Sequence, residues 1–499
     1  MNKRVKGILA GCGVLAVLGG GLAVLLLNDD GGNEESSLSS VEETETELWS
    51  YESSAISKIT VSQPHGDTYT ANRRVDQTET TDINGNATVQ DVSNYFLEGY
   101  ESLPMSTVSI RLLATRAHDV HAAQTVKENA SETELAAYGL DDPIRVRLTV
   151  DDADDIAFCI GNETPISGYT YVCMEGSSTV YTVSTSSIEP YLSGINDYLG
   201  TTLIAEQEDG DERIVMSLRL ERTDLDYDMY FVFDPYYNVN TNSGTSAVHV
   251  MQEPIYCLLS PDKSADTTHG LFGLTASEVL KPFPSADDLS AAGFDEPFVR
   301  VTMELSDGTT TVFRLGNSYT GADGGTYYCG YVDGLDCIYG FSADDTVYDN
   351  VLPEDVTSKV IVDMYVWDIG TLNYEADGLK LDFTALGESA DDVVLKLNGE
   401  SYENVERYRL LYTYLLKTAA EDLILAQPDD VGALMASVFV DRQDGQRSYD
   451  IKFYDAGGMK AYIEIDGQIR FRCRKTYVTT LIENMEMFAD ESKDFIMTW

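Results

Sequence analysis

The chain has 499 residues, 84 of them acidic and 33 basic, for a formal net charge of −51. A surface so negative repels phosphate backbones and anionic lipid heads, which argues against nucleic-acid binding and against docking on an acidic membrane face. The length suggests about three domains, and an apolar fraction of 43% leaves room for sizeable cores.

The first six residues, Met-Asn-Lys-Arg-Val-Lys, are basic, and residues 7–27 form an uncharged apolar run. About 21 such residues span a hydrocarbon core as a helix. Lys3, Arg4 and Lys6 precede the run, while Asp29, Asp30, Glu34 and Glu35 follow it. The basic side stays in the cytoplasm. The expectation is a cytoplasmic tail at 1–6, a single transmembrane helix at 7–27 and an extracytoplasmic bulk. A cleaved signal peptide has a shorter apolar stretch and a small-residue cleavage site, which Val24-Leu25-Leu26-Leu27-Asn28 does not offer. Leu9-Ala10-Gly11-Cys12 looks like a lipobox, but the apolar run continues past Cys12 where a lipobox cysteine would end it. Residues 28–55 are polar and acidic and read as a flexible linker.

Beyond the linker the chain repeats itself. Ser131 to Pro143 (SETELAAYGLDDP) matches Ser285 to Pro297 (SADDLSAAGFDEP). In each copy a serine caps a short helix with an acid three residues on, Glu134 or Asp288. A glycine, Gly139 or Gly293, can end the helix in the left-handed conformation. A proline, Pro143 or Pro297, forbids its continuation. Alternating strands follow, with Ile144, Val146, Leu148 and Val150 in one copy and Val299, Val301, Met303 and Leu305 in the other. Ile160-Gly161-Asn162 then answers to Leu315-Gly316-Asn317, Tyr171-Val172-Cys173 to Tyr327-Tyr328-Cys329, and Val180-Tyr181 to Ile338-Tyr339. A weaker third copy starts near Pro428-Asp429-Asp430, with strands at 437–442, 449–454, 461–465 and 469–472 and a helix at 477–488. Opening strands are expected at 58–61, 216–220 and 364–367, and helices at 92–103 and 408–419. Three units of about 150 residues result, at 56–205, 206–361 and a divergent 362–499. Each is an antiparallel β-meander with short helices, an α+β organisation.

These residues resemble the uncharacterised bacterial family of domain of unknown function 4340. Its Tyr-Gly-Leu-x-x-Pro step is Tyr138 to Pro143 here, its Ile-Gly-x strand end is Ile160 to Asn162, and its Val-Tyr strand is Val180-Tyr181. The resemblance is strongest across 131–205 and 285–360, and the third unit departs from it. It implies one N-terminal membrane span and an exported body, and in some members a likeness to auxiliary components of ABC-type export or gliding systems. It carries over no catalytic residue.

Few residues form a pattern that carries chemistry. His118 and His121 can share a helical face, but no third ligand has diagnostic spacing. Asp82-Ile83-Asn84-Gly85-Asn86 starts like a calcium loop, yet Ala87 and Ser93 stand where glycine and a bidentate acid are needed. Asp224, Asp226 and Asp228 fail the same test at Met229. The cysteines other than Cys12 form no metal spacing. Cys159 with Cys173, and Cys329 with Cys337, lie on neighbouring expected strands, where they can face each other or stay free thiols. No nucleophile elbow, phosphate loop, dinucleotide fingerprint or zinc-protease motif occurs. The 31 tyrosines suit sheet packing first and a carbohydrate or peptide surface second. No catalytic, cofactor or metal residue is assigned. The expected function is a membrane-anchored binding or scaffold protein with an envelope partner, such as an ABC-transporter subunit. The competing expectation is a surface hydrolase acting on glycans or peptides.

Overall fold

A computed structural model of the chain describes residues 46–81, 87–236, 247–344, 346–387, 392–417 and 419–499. The expected tail, membrane helix and most of the linker, with Cys12, lie outside the described residues, as does the Asp82–Asn86 loop. Among the described residues no helix is long and apolar enough to cross a membrane.

The fold is mostly β, built from three antiparallel sheets of nine strands each. The first contains β1 (Thr46–Ser50), β2 (Ile56–Ser62), β3 (Thr68–Thr81), β4 (Ala87–Leu97), β5 (Asp119–Lys127), β6 (Ile144–Val150), β7 (Ile156–Glu163), β8 (Tyr169–Met174) and β9 (Val180–Ser184). Their spatial order is β1-β5-β9-β8-β7-β6-β2-β3-β4. The second contains β10 (Val215–Arg222), β11 (Met229–Phe233), β12 (His249–Glu253), β13 (Cys257–Leu258), β14 (Glu278–Pro282), β15 (Val299–Leu305), β16 (Thr310–Thr320), β17 (Thr326–Val332) and β18 (Cys337–Ser342). The third contains β19 (Ile369–Ala376), β20 (Leu379–Leu386), β21 (Val394–Leu397), β22 (Glu400–Tyr402), β23 (Ala420–Leu423), β24 (Leu434–Arg442), β25 (Ser448–Asp455), β26 (Lys460–Ile465) and β27 (Gln468–Arg474).

The second and third sheets have one and the same topology: β13-β12-β11-β10-β15-β16-β17-β18-β14 and β22-β21-β20-β19-β24-β25-β26-β27-β23. Four strands meander, the fifth crosses to the far edge, and the last four fill the space between. The first sheet repeats this plan with one strand fewer in the opening meander and with β1 added outside β5. Each crossover carries a helix, at Thr107–Arg116, Pro261–Thr268 and Val405–Leu416. A unit is thus two meanders joined by a crossover, and the third copy keeps the plan after losing the sequence motif.

Burial explains the strands. Val146, Leu148 and Val150 are buried at period two, as are Val299, Val301, Met303 and Leu305. One face of every sheet joins a hydrophobic cluster that runs through all three units. In the third unit the helices Val405–Leu416 and Lys475–Glu486 close that face, with Tyr414 and Tyr477 stacked at 5.1 Å.

Three expectations need correction. Thr46–Ser50 is not linker but an edge strand paired with β5, held by buried Trp49, whose indole Nε1 donates to Ala117 O at 2.7 Å. Val92–Leu97 is strand and not helix, because Tyr95 and Leu97 bury at period two. The helix begins after Pro104, where Ser106 Oγ accepts from Ser109 N. Residues 364–367 are not a strand: the chain turns where Asp368 N donates to Tyr365 O at 3.0 Å, Tyr365 stacks on Trp367 at 4.4 Å, and the strand starts at Ile369.

The two capping boxes form as the sequence implies. Ser131 Oγ accepts from Glu134 N at 3.4 Å while Glu134 accepts from Ser131 N at 2.8 Å. Ser285 and Asp288 repeat the exchange. The Ser131 backbone N–H, Lys127 and the Ser131 hydroxyl together hold the Glu134 carboxyl down at about 2. Ser131→Ala is expected to lower stability by about 1 kcal/mol, read as a shift in urea midpoint.

Candidate functional site

The repeated motifs meet in space as a latch. In the first unit the carbonyl of Tyr138, at the helix end, accepts from Asn162 N at 2.8 Å. In the second, Ala292 O accepts from Asn317 N, also at 2.8 Å. The glycine before each asparagine makes this approach possible. A Cβ on Gly161 would lie 2.3 Å from Tyr138 O, and one on Gly316 2.1 Å from Ala292 O. Gly139 (φ 71°) and Gly293 (φ 87°) turn the chain back at the helix end, a conformation glycine adopts without a steric penalty. Leu140 and Phe294 then bury on the second face of their sheets, among Cys159, Cys173 and Val180 in one case and Ile338 in the other. The motif residues therefore dock a short helix on a sheet.

Charge gathers elsewhere, where the second and third sheets meet. Arg447 precedes β25 in phase with Tyr449, Ile451 and Phe453, so its side chain follows them into the interior. Its guanidinium lies 3.0 Å from Asp234 and 3.4 Å from Asp363. The side chains of Arg447 and Asp234 are only 8% and 4% exposed. Tyr449 donates its hydroxyl to Asp363, and the rings of Tyr236 and Tyr449 lie against Arg447 at 5.6 and 5.3 Å. Arg470, itself buried, sits 4.7 Å from the ring of Tyr256. Such a cluster is costly to desolvate and tolerates little change. Opposite charges offset one another within it, and it fixes one unit on the next.

Two open clefts flank the helix Pro261–Thr268, with volumes of about 570 and 440 Å³. His269 borders both and faces Glu206 at 3.4 Å. His249 borders the second, and its Nε2–H donates to Val215 O at 2.7 Å. Burial lowers the His249 pKa below the ordinary histidine value, and the Val215 bond only partly opposes this. In the folded chain the neutral ring is favoured. As pH falls below about 6.5 the unfolded chain takes up a proton that the folded chain resists. Stability is therefore expected to fall from pH 7 toward pH 5, and His249→Gln is expected to flatten that part of the urea-midpoint profile.

The sequence candidates scatter. His118 and His121 do not share a helical face, because β5 starts at Asp119. His118 Nδ1 meets Thr115 O at 2.9 Å, and His121 pairs with Asp119 at 3.1 Å. Asp224 is held by Arg222 and Asp228 by Arg219, so arginines occupy those carboxylates. Among the described residues no group of three or more His, Cys, Asp or Glu can hold a metal ion. Cys159 and Cys173 are direct cross-strand partners. Cys329 and Cys337 are not: Cys329 faces Gly340 and Cys337 faces Pro282, on opposite faces of the second sheet. Tyr191, Tyr198, Tyr339, Tyr374, Tyr408, Tyr412, Tyr414 and Tyr477 are fully buried, so core packing takes many of the tyrosines. The Arg447 cluster was readable in one respect: an arginine stands where the alternation calls for an apolar residue.

No curated protein and no solved structure matches the chain. Residues 96–224 match the model of one family. The match runs from the end of β4 to just past β10 and holds the first capped helix, its latch and the Cys159–Cys173 pair. It does not extend over the second copy at 285–360. That family, which residues 96–224 resemble, is described as Domain of unknown function (DUF4340).

Proposed function

We propose that the protein is a membrane-anchored, extracytoplasmic binding or scaffold protein, not an enzyme, and that it serves an ABC-type transporter as an accessory subunit. The uncharged run at 7–27, basic before and acidic after, supports the anchor and its orientation. The β3–β4 ribbon carries the binding role. β2 pairs with β3 only as far as Asn72, whereas β3 and β4 pair on to Thr81 and Ala87. Residues 73–81 and 87–95 thus leave the sheet as a two-stranded ribbon about 30 Å long. A ribbon of this kind is marginal alone, and its open edges are templates for a partner strand. Val75 and Val89 lie on one face of it, 52% and 62% exposed, while Arg74, Asp76 and Asn94 bond to one another on the other.

Crosslinking in intact membranes, followed by capture of the full chain, tests this reading. Recovery of peptides from a transporter permease is the expected result. Monomer alone under several crosslinking chemistries contradicts it.

A further inference from the structure

Within the DUF4340 segment, β7 and β8 set two cysteines directly opposite each other. Cys159 pairs with Cys173 in register, flanked by Phe158 with Met174 and Ile160 with Val172. Directly opposed residues of an antiparallel pair have Cα atoms about 4.5 or 5.5 Å apart. Both values lie within the window of about 4.4–6.8 Å that a disulfide spans. The two thiols share one face of the sheet and one apolar cluster with Leu140 and Val180, beneath the helix Glu132–Ala137. Both are free and buried. We propose that Cys159 and Cys173 are a redox pair that closes to a cross-strand disulfide when the chain meets a disulfide oxidant.

The environment sets an order of events. The Cys173 S–H donates to the Cys159 sulfur and holds the Cys159 thiol below the ordinary cysteine value, against the effect of burial. Cys173 is pushed up by the same bond and by burial. Cys159 is therefore the attacking thiolate. It displaces one thiolate from a low-molecular-weight disulfide, which takes up a proton, and forms a mixed disulfide. The Cys159 charge is then gone. Cys173 gives up its proton, attacks the Cys159 sulfur and expels the second thiolate. Two protein thiols are oxidised and one small disulfide is reduced to two thiols. The bond formed lies next to Ile160-Gly161-Asn162 and ties together the two strands that seat the latch.

The test uses the full chain in membranes incubated with oxidised glutathione, then blocked with N-ethylmaleimide, digested and weighed. The expected product is a linked peptide pair carrying Cys159 and Cys173, two hydrogens lighter than the dithiol. Cys257, Cys329, Cys337 and Cys473 are expected to remain reduced and carry the maleimide. Cys159→Ser and Cys173→Ser are each expected to abolish the linked pair. Independent maleimide labelling of Cys159 and Cys173 after oxidation, to the same extent as Cys329, overturns the proposal.

Discussion

Replacing Arg447 by alanine is expected to cost about 3–5 kcal/mol, because removing one partner leaves a buried charge behind. Asp234 then keeps the backbone N–H of Tyr236, at 3.0 Å, but loses its guanidinium. Tyr236 and Tyr449 lose the cation that lies against their rings. The cost is read as a fall in urea midpoint, followed by circular dichroism. Arg447→Lys is expected to recover only part of it, since a compact ammonium cannot reach two carboxylates as a planar fork does. A change below about 1 kcal/mol for Arg447→Ala contradicts the role given to the junction.

Gly316→Ala carries the second large effect. The added methyl would lie 2.1 Å from the carbonyl oxygen of Ala292. That oxygen belongs to the backbone and is already bonded to Asn317 N, so it cannot swing aside. The helix must lift from the sheet, at an expected cost of about 2–3 kcal/mol. Gly161→Ala is expected to behave alike, with Tyr138 O at 2.3 Å. Gly194→Ala is the control, because its φ is −81° and a Cβ there meets nothing within 4 Å. Its effect is expected to stay within about 0.5 kcal/mol.

Much of this latch was legible in the sequence. Capping serine, acid, glycine and proline are local signals, and their recurrence at Ser131 and Ser285 exposed the repeat. The role of Gly161 and Gly316 was not, because it depends on a carbonyl more than 20 residues away in the chain. The four strands of each closing meander were also legible, since hairpin strands read in order. The crossover strands β5, β14 and β23 were not, because their partners lie across the whole sheet. The 92–103 error has a similar cause. Asn-Tyr-Phe-Leu fits either period in a short window, and only pairing of Tyr95 and Leu97 into a sheet decides it. The Arg447 cluster joins Asp234 just past β11, Asp363 ahead of β19 and Tyr449 in β25, and no local pattern links them.

We propose that this protein works by contact through the ribbon of its first sheet. A photo-crosslinking amino acid placed at Val75 or Val89 in the full-length, membrane-embedded chain tests it most directly, with Met459, 70% exposed on the third unit, as the control site. The expected result is a light-dependent adduct to a second envelope protein from both ribbon positions and none from Met459. Monomer alone from the ribbon positions, or equal adducts from all three, contradicts it.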